Sequence, residues 1–257
     1  MTDIDKISAN TNVPLKNAGN PQEQKPQKET LFGYKPGIMN DFYPEFKTKP
    51  ISEEAKKLKN DWVKIVPDFS EEFAQKIVDA SKNIKCDTED LAALLFKESR
   101  FNPKAGKGSY KGIGQMNRRS LNAAIEYALK NGYENLDPDM DMKKFKNLTR
   151  EEQLPYVECY ILAMKKMAKF KDKEELDAGR LYGLVYTPSN AKKKVYSSAF
   201  SPDTAKYYHA NRGLDFDGDG KITPQDLENV VAKVKKIPKQ VPDISNTFIF
   251  RPPEGTA

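Results

Sequence analysis

In the stretch Asp90 to Arg100, DLAALLFKESR, residues Leu91, Leu94, Leu95 and Glu98 stand at i, i+3, i+4 and i+7. On a helix these four share one face, so a carboxyl group joins an apolar stripe near the helix end. Burial there disfavours the charged form, and the negative end of the helix dipole pushes the same way; both raise the pKa. A carboxylic acid that keeps its proton near neutral pH can act as the general acid in cleaving a glycosidic bond. The spacing also fits a plain helix-end glutamate paired with Arg100 or a lysine, and spacing alone leaves both readings open.

A second group of acids lies in DFDGDGKITPQD, residues 215–226. Asp215, Asp217 and Asp219 fall at positions 1, 3 and 5 of an EF-hand-like loop, Gly220 at 6, Lys221 at the carbonyl-donating position 7, Ile222 at 8 and Asp226 at 12. Hard oxygen ligands clustered this way suit Ca2+. Thr223 at position 9 would bind through water, and aspartate rather than glutamate at position 12 implies weaker affinity or some tolerance of magnesium. The same residues have a second reading. Thr223, Pro224 and Asp226 form the cap, first residue and capping-box partner of a helix, so the acids could simply be the turn that starts it. One loop alone, where such loops commonly pair, argues for a structural staple rather than a sensor that opens a groove.

These groups need a scaffold, and 257 residues that are 38% hydrophobic and 31% charged can enclose one medium core with a segment left outside it. Residues 1–31 contain no aromatic residue and are rich in Asn, Gln, Lys, Pro and Thr, which predicts a disordered arm. Residues 32–50 carry five aromatics among prolines and glycines, the composition of an extended strap that docks. After Pro67 the periodicity is helical, without strand-like alternation, and predicts an all-α core of six helices. Asp68 and Glu71 have capping-box spacing; Asp87 or Thr88 starts the next helix, and Gly132 closes the third. Thr149 and Glu152 cap a fourth, whose start Pro155 could shift. KEELDAGRLYGLVY and SPDTAKYYHAN supply two more, the latter with Ser201 as cap and Pro202 first. The proline-rich end is expected to be irregular, with TFIF as a docking point. The resulting division is 1–50 arm and strap, 51–212 helical domain, 213–237 acidic loop and helix, and 238–257 tail. Cys86 and Cys159 are too few for a disulfide scaffold and read as free thiols.

Taken together, ESRFNPKAG and YKGIGQM resemble the soluble lytic transglycosylase and goose-type lysozyme group of the lysozyme-like superfamily. The matching residues are Glu98, Ser99, Phe101, Asn102, Pro103 and Ala105, then Gly112, Ile113, Gly114, Gln115 and Met116. The resemblance covers roughly residues 68–190 and implies a lysozyme-like helical domain with Glu98 catalytic and Ser99, Gly114, Gln115 and Met116 at the substrate. It implies cleavage of the β-1,4 bond between N-acetylmuramic acid and N-acetylglucosamine in peptidoglycan. Glu98 would protonate the leaving oxygen and then take the proton of the muramoyl C6 hydroxyl as an anhydro ring closes. Tyr156, in QLPYVECYI, and Tyr186, in LVYTPSNA, are the two candidates for a phenol near the reacting sugar. Thr187 and Pro188 depart from the family pattern after Tyr186, and Asn117 replaces a usual proline. Hydrolysis with inversion would instead need a second carboxylate about 6.5–9.5 Å away, for which Asp137, Asp139, Asp141 and Glu158 are available. A non-catalytic wall-binding or assembly protein of the same fold is the main rival.

A net charge of +6 suits an anionic partner such as the sacculus. The lysines are dispersed among acids with no single basic stripe, which argues against nucleic acid. No apolar run approaches a membrane span, and the N-terminus lacks the basic-then-apolar order of a secretory signal. Action in the periplasm or cell wall is therefore expected to follow delivery in a virion, through a holin or by a secretion machine. The N-terminal arm would contact a protein of that apparatus.

Overall fold

The computed structural model describes residues 50–241 except 107 and 135. The arm, nearly all of the strap and TFIF lie outside the described residues. The described chain is all-α: its only strands are β1 (Ser197–Ser198) and β2 (Lys221–Ile222), paired antiparallel with Ser197 opposite Ile222.

Helix α1 (Glu53–Trp62) comes before the expected start of helical structure. Ser52 caps it through the Ala55 N–H, and Ala55, Leu58 and Trp62 are buried. α2 (Glu71–Ile84) is capped by Ser70, not by Asp68 as the spacing suggested. Asp68 instead meets the Arg150 guanidinium at 2.8 Å. α3 (Thr88–Ser99) begins at the Asp87 cap, and Leu91 through Leu95 are all buried. Five consecutive buried residues mean a helix enclosed on every side; its neighbours are α2, α9 and α7.

α4 (Arg118–Asn131) runs from an Asn117 capping box to a left-handed Gly132, and α5 (Met142–Phe145) is a single turn. α6 (Arg150–Met167) starts at the Thr149–Glu152 capping box in spite of Pro155. Proline has no N–H to offer the carbonyl four residues back. That carbonyl, of Glu151, lies 3.4 Å from the Lys76 ammonium instead.

α7 (Ala178–Tyr186) is capped by Asp177. α8 (Ala205–Asn211) begins later than expected: Thr204 is at its N-cap with no side-chain hydrogen bond, and Ser201 and Pro202 stand in the preceding turn. α9 (Pro224–Lys235) follows the Thr223 cap and packs against α7 and α3, placing Leu227, Val230, Val231 and Val234 in the common core. The tail, expected to be irregular, opens with one helical turn, α10 (Ile237–Gln240). Both cysteines are free, and burial pushes each thiol up to about 12. Among the described residues no helix is long and apolar enough to cross a membrane.

Candidate active site at the end of α3

The chain turns sharply where α3 ends. Arg100 and Phe101 both adopt left-handed backbone, at φ 56° and 59°, a conformation that costs a residue with a Cβ about 1–2 kcal/mol. The Phe101 ring offsets that cost. It is fully buried, with ring centroids 5.0 Å from Trp62 and Phe69, 5.5 Å from Phe96 and 5.7 Å from Phe73. Aromatic packing of this density gives each edge-on pair an attraction beyond simple burial. The reversal leaves Glu98 and Ser99 at a helix end closed by a rigid turn.

The glycine turn is fastened to that end through Ile113. Ser99 Oγ lies 3.1 Å from the Leu95 carbonyl oxygen and 3.0 Å from that of Ile113, so its single proton is shared between α3 and the turn. The Ile113 N–H donates to Gln153 Oε1 at 2.9 Å. Gln153 is fully buried, and its Nε2 donates to the carbonyls of Pro103 at 3.0 Å and Phe145 at 3.1 Å. One amide thus holds both motif turns, Phe101–Pro103 and Gly112–Met116, against α6. Gly112 has φ 76°, and a Cβ there would overlap that same Gln153 oxygen. Gly114 packs on Val157 of α6, where a Cβ would meet Cγ2 at 2.7 Å. Gln115, at φ 45°, donates its side-chain amide to the Gly112 carbonyl at 2.9 Å, and Met116 is a core residue.

Glu98 itself is partly buried. Burial pushes its carboxyl above the ordinary range, while hydrogen bonding with Tyr182 and the charge of Lys97 work against the shift. Burial and the nearby Glu98 raise the Tyr182 phenol in turn. Among the described residues no other carboxylate acts on Glu98. The phenol beside the acid is therefore Tyr182, one turn before the expected Tyr186. Tyr186 lies close enough to act on Tyr182 and pairs its hydroxyl with Ser197 Oγ at 2.8 Å. Tyr156 is placed elsewhere: its oxygen accepts from the Asp137 N–H at 3.0 Å, and it lines a depression of about 530 Å³ with Lys76, Asp79 and Glu158. Three of the four acids available as a second carboxylate have other partners: Asp137 holds Lys144, Asp141 caps α5, and Glu158 accepts from Asn83 and Tyr133; Asp139 is exposed.

In the acidic loop, Asp215, Asp217 and Asp219 each offer a carboxylate oxygen, and these lie within 4.8 Å of one another. Gly220 and Ile222 accept at their carbonyls from the N–H groups of Ala199 and Tyr196, which flank β1 on either side. Carbonyls alternate along extended chain, so that of Lys221 points the other way. Asp226 stands outside the cluster. One of its oxygens accepts from the Phe216 N–H at 3.1 Å, and the other from the Thr223 N–H at 2.8 Å and the Thr223 hydroxyl. The expected ligand at position 12 is thus taken up by the capping box.

Comparison with protein-family models, with curated proteins and with solved structures finds no match for this chain. Two residues of the site escaped the motif reading. Gln153 had a polar residue in an apolar helix face as its signal. Tyr182 had its place four residues before Tyr186, on the same face of α7.

Proposed function

We propose that the protein is a peptidoglycan-cleaving lytic transglycosylase with Glu98 as its single acid and base. The observation that carries this reading is the setting of Glu98: a partly buried carboxyl with a raised pKa, beside a phenol and, among the described residues, with no second acid acting on it. The protonated acid gives its proton to the glycosidic oxygen as the bond to the muramoyl C1 breaks. The resulting carboxylate then takes the proton of the C6 hydroxyl, whose oxygen closes onto C1 to leave a 1,6-anhydro ring. No water enters, so a second carboxylate to activate one is unnecessary. Tyr182 steadies the carboxylate form between the two steps. Gln115 offers a carbonyl oxygen that no donor reaches among the described residues, available to a sugar amide or hydroxyl. The glycan lies in the periplasm or cell wall, and the N-terminal arm serves docking to the virion or secretion apparatus that delivers the enzyme.

Mass spectrometry of products from purified peptidoglycan tests this. Anhydro-muramoyl products from the wild type and none from Glu98→Gln are expected. Reducing-end products would move the protein to the hydrolysing lysozymes, and no release from either would leave a wall-binding or assembly role.

The acidic loop is proposed to hold Ca2+ through Asp215, Asp217, Asp219 and the Lys221 carbonyl, as a structural staple outside the chemistry. The donor set fits a hard cation. With Asp226 in the capping box, affinity is low unless that box opens. Calcium should raise the thermal midpoint by mass action, and Asp217→Asn should abolish the rise; a midpoint indifferent to calcium and chelator would show the loop to be a helix-starting turn.

A further inference from the structure

We propose that Tyr110 stacks on a pyranose ring of the bound glycan and so forms a sugar subsite beside the Gly112–Met116 turn. The inference rests on the glycan-cleaving reading of Glu98. Its basis is how the segment from Ala105 to Met116 is closed. The Gly112 N–H donates to the Ala105 carbonyl at 2.8 Å, and Lys111 and Met116 exchange two backbone hydrogen bonds, each 2.8 Å. Gly106 lies directly against the backbone of residues 110 and 111, where a Cβ would overlap the Tyr110 carbonyl oxygen. The main chain at Tyr110 is therefore pinned on both sides, to the same turn that Ser99 and Gln153 fasten to Glu98.

On this fixed backbone the ring is 50% exposed. Large hydrophobic side chains exposed singly are ordinary on a protein surface. The others among the described residues, such as Leu129, Met167 and Phe200, lie away from the motif segment, and Tyr110 is the one within it. Near it is Tyr160, one turn along α6 from the Val157 on which Gly114 rests. Burial and the neighbouring Tyr110 together push the Tyr160 phenol up to about 12. An exposed apolar ring with a hydroxyl rim, carried on a fixed backbone, suits the C–H face of a sugar, which is apolar while its edges are polar.

Steady-state turnover of soluble glycan strands by the full-length protein decides the matter. Tyr110→Ala and Tyr110→Gln should raise KM about 3- to 10-fold, with kcat nearly unchanged. Tyr110→Phe, which keeps the ring, should restore the wild-type KM, and Tyr207→Ala, an exposed tyrosine on α8, should behave as wild type. Turnover with an unaltered KM in both ring-deleted variants overturns the subsite alone. No turnover by the wild type overturns the glycan reading of Glu98, and the subsite with it.

Discussion

Glu98, partly buried, and Glu158, buried, are both glutamates whose carboxyls burial pushes above the ordinary range, yet they sit in different chemistry. Glu158 lies mid-helix in α6, accepting from the Asn83 amide at 2.8 Å and the Tyr133 hydroxyl at 3.3 Å. Glu98 ends its helix, with the Tyr182 phenol as its polar neighbour and a strained turn behind it. A raised pKa therefore does not by itself mark a catalytic acid. What separates the two is how much of the carboxyl's bonding capacity is already engaged, and whether the backbone beside it is regular or forced.

The sharpest test of that difference is cleavage. Glu98→Gln should lower the release of soluble muropeptides by about 10²- to 10⁴-fold, the range of a lost general acid, whereas Glu158→Gln should change it little. Equal losses would erase the distinction. Stability should separate the pair in the other direction. Because the folded-state pKa of Glu98 is raised, the native protein keeps a proton that the unfolded chain releases above about pH 4. Stability therefore falls as pH climbs from the unfolded pKa to the folded one, and the deficit persists at neutral pH. Glu98→Gln removes it, so its thermal midpoint should exceed that of wild type at pH 7 and converge with it in acid. Glu158→Gln should gain less, since its new NH2 group must find a partner among donors.

Smaller effects sharpen the comparison. Tyr182 holds the Glu98 pKa down, so Tyr182→Phe should move the alkaline limb of the pH–rate profile upward; Tyr133→Phe, which removes a hydroxyl bonded to Glu158 and not to Glu98, should leave the limb in place. Smallest is the backbone effect. Arg100→Gly relieves a left-handed residue whose side chain is exposed and should stabilise by about 0.5–1 kcal/mol, read from chemical denaturation. A loss would mean that the Arg100 side chain contributes more than its backbone costs.

Much of this is legible in the sequence. The burial of Leu91, Leu94 and Leu95 with Glu98 at their edge follows from 3.6-residue periodicity, and the Asp87, Thr149 and Thr223 caps from the side-chain oxygens that helix starts require. α1 was missed because three apolar residues among lysines and acids make a faint stripe, strong only once α2 lies beside it. Asp68 misled because a carboxylate that spacing offers to a helix start can also be claimed by an arginine far along the chain. Tyr156 and Tyr186 could not be ranked from sequence, nor Tyr182 singled out, since which face of each helix meets the end of α3 is set by packing among α3, α6 and α7. The role of Gln153 was hidden for the same reason: its partners at positions 103, 113 and 145 are brought together only by the fold.

The clamp on Ile113 has a consequence for solvent exchange. Its amide belongs to neither helix nor strand, and loop amides ordinarily trade their protons quickly. This one is bonded to a side chain with no exposure, in a residue that is itself fully buried. Deuterium can reach it only when α6 separates from the motif turn, so it should exchange on the schedule of the core helices, and a single loop proton becomes a gauge of global opening.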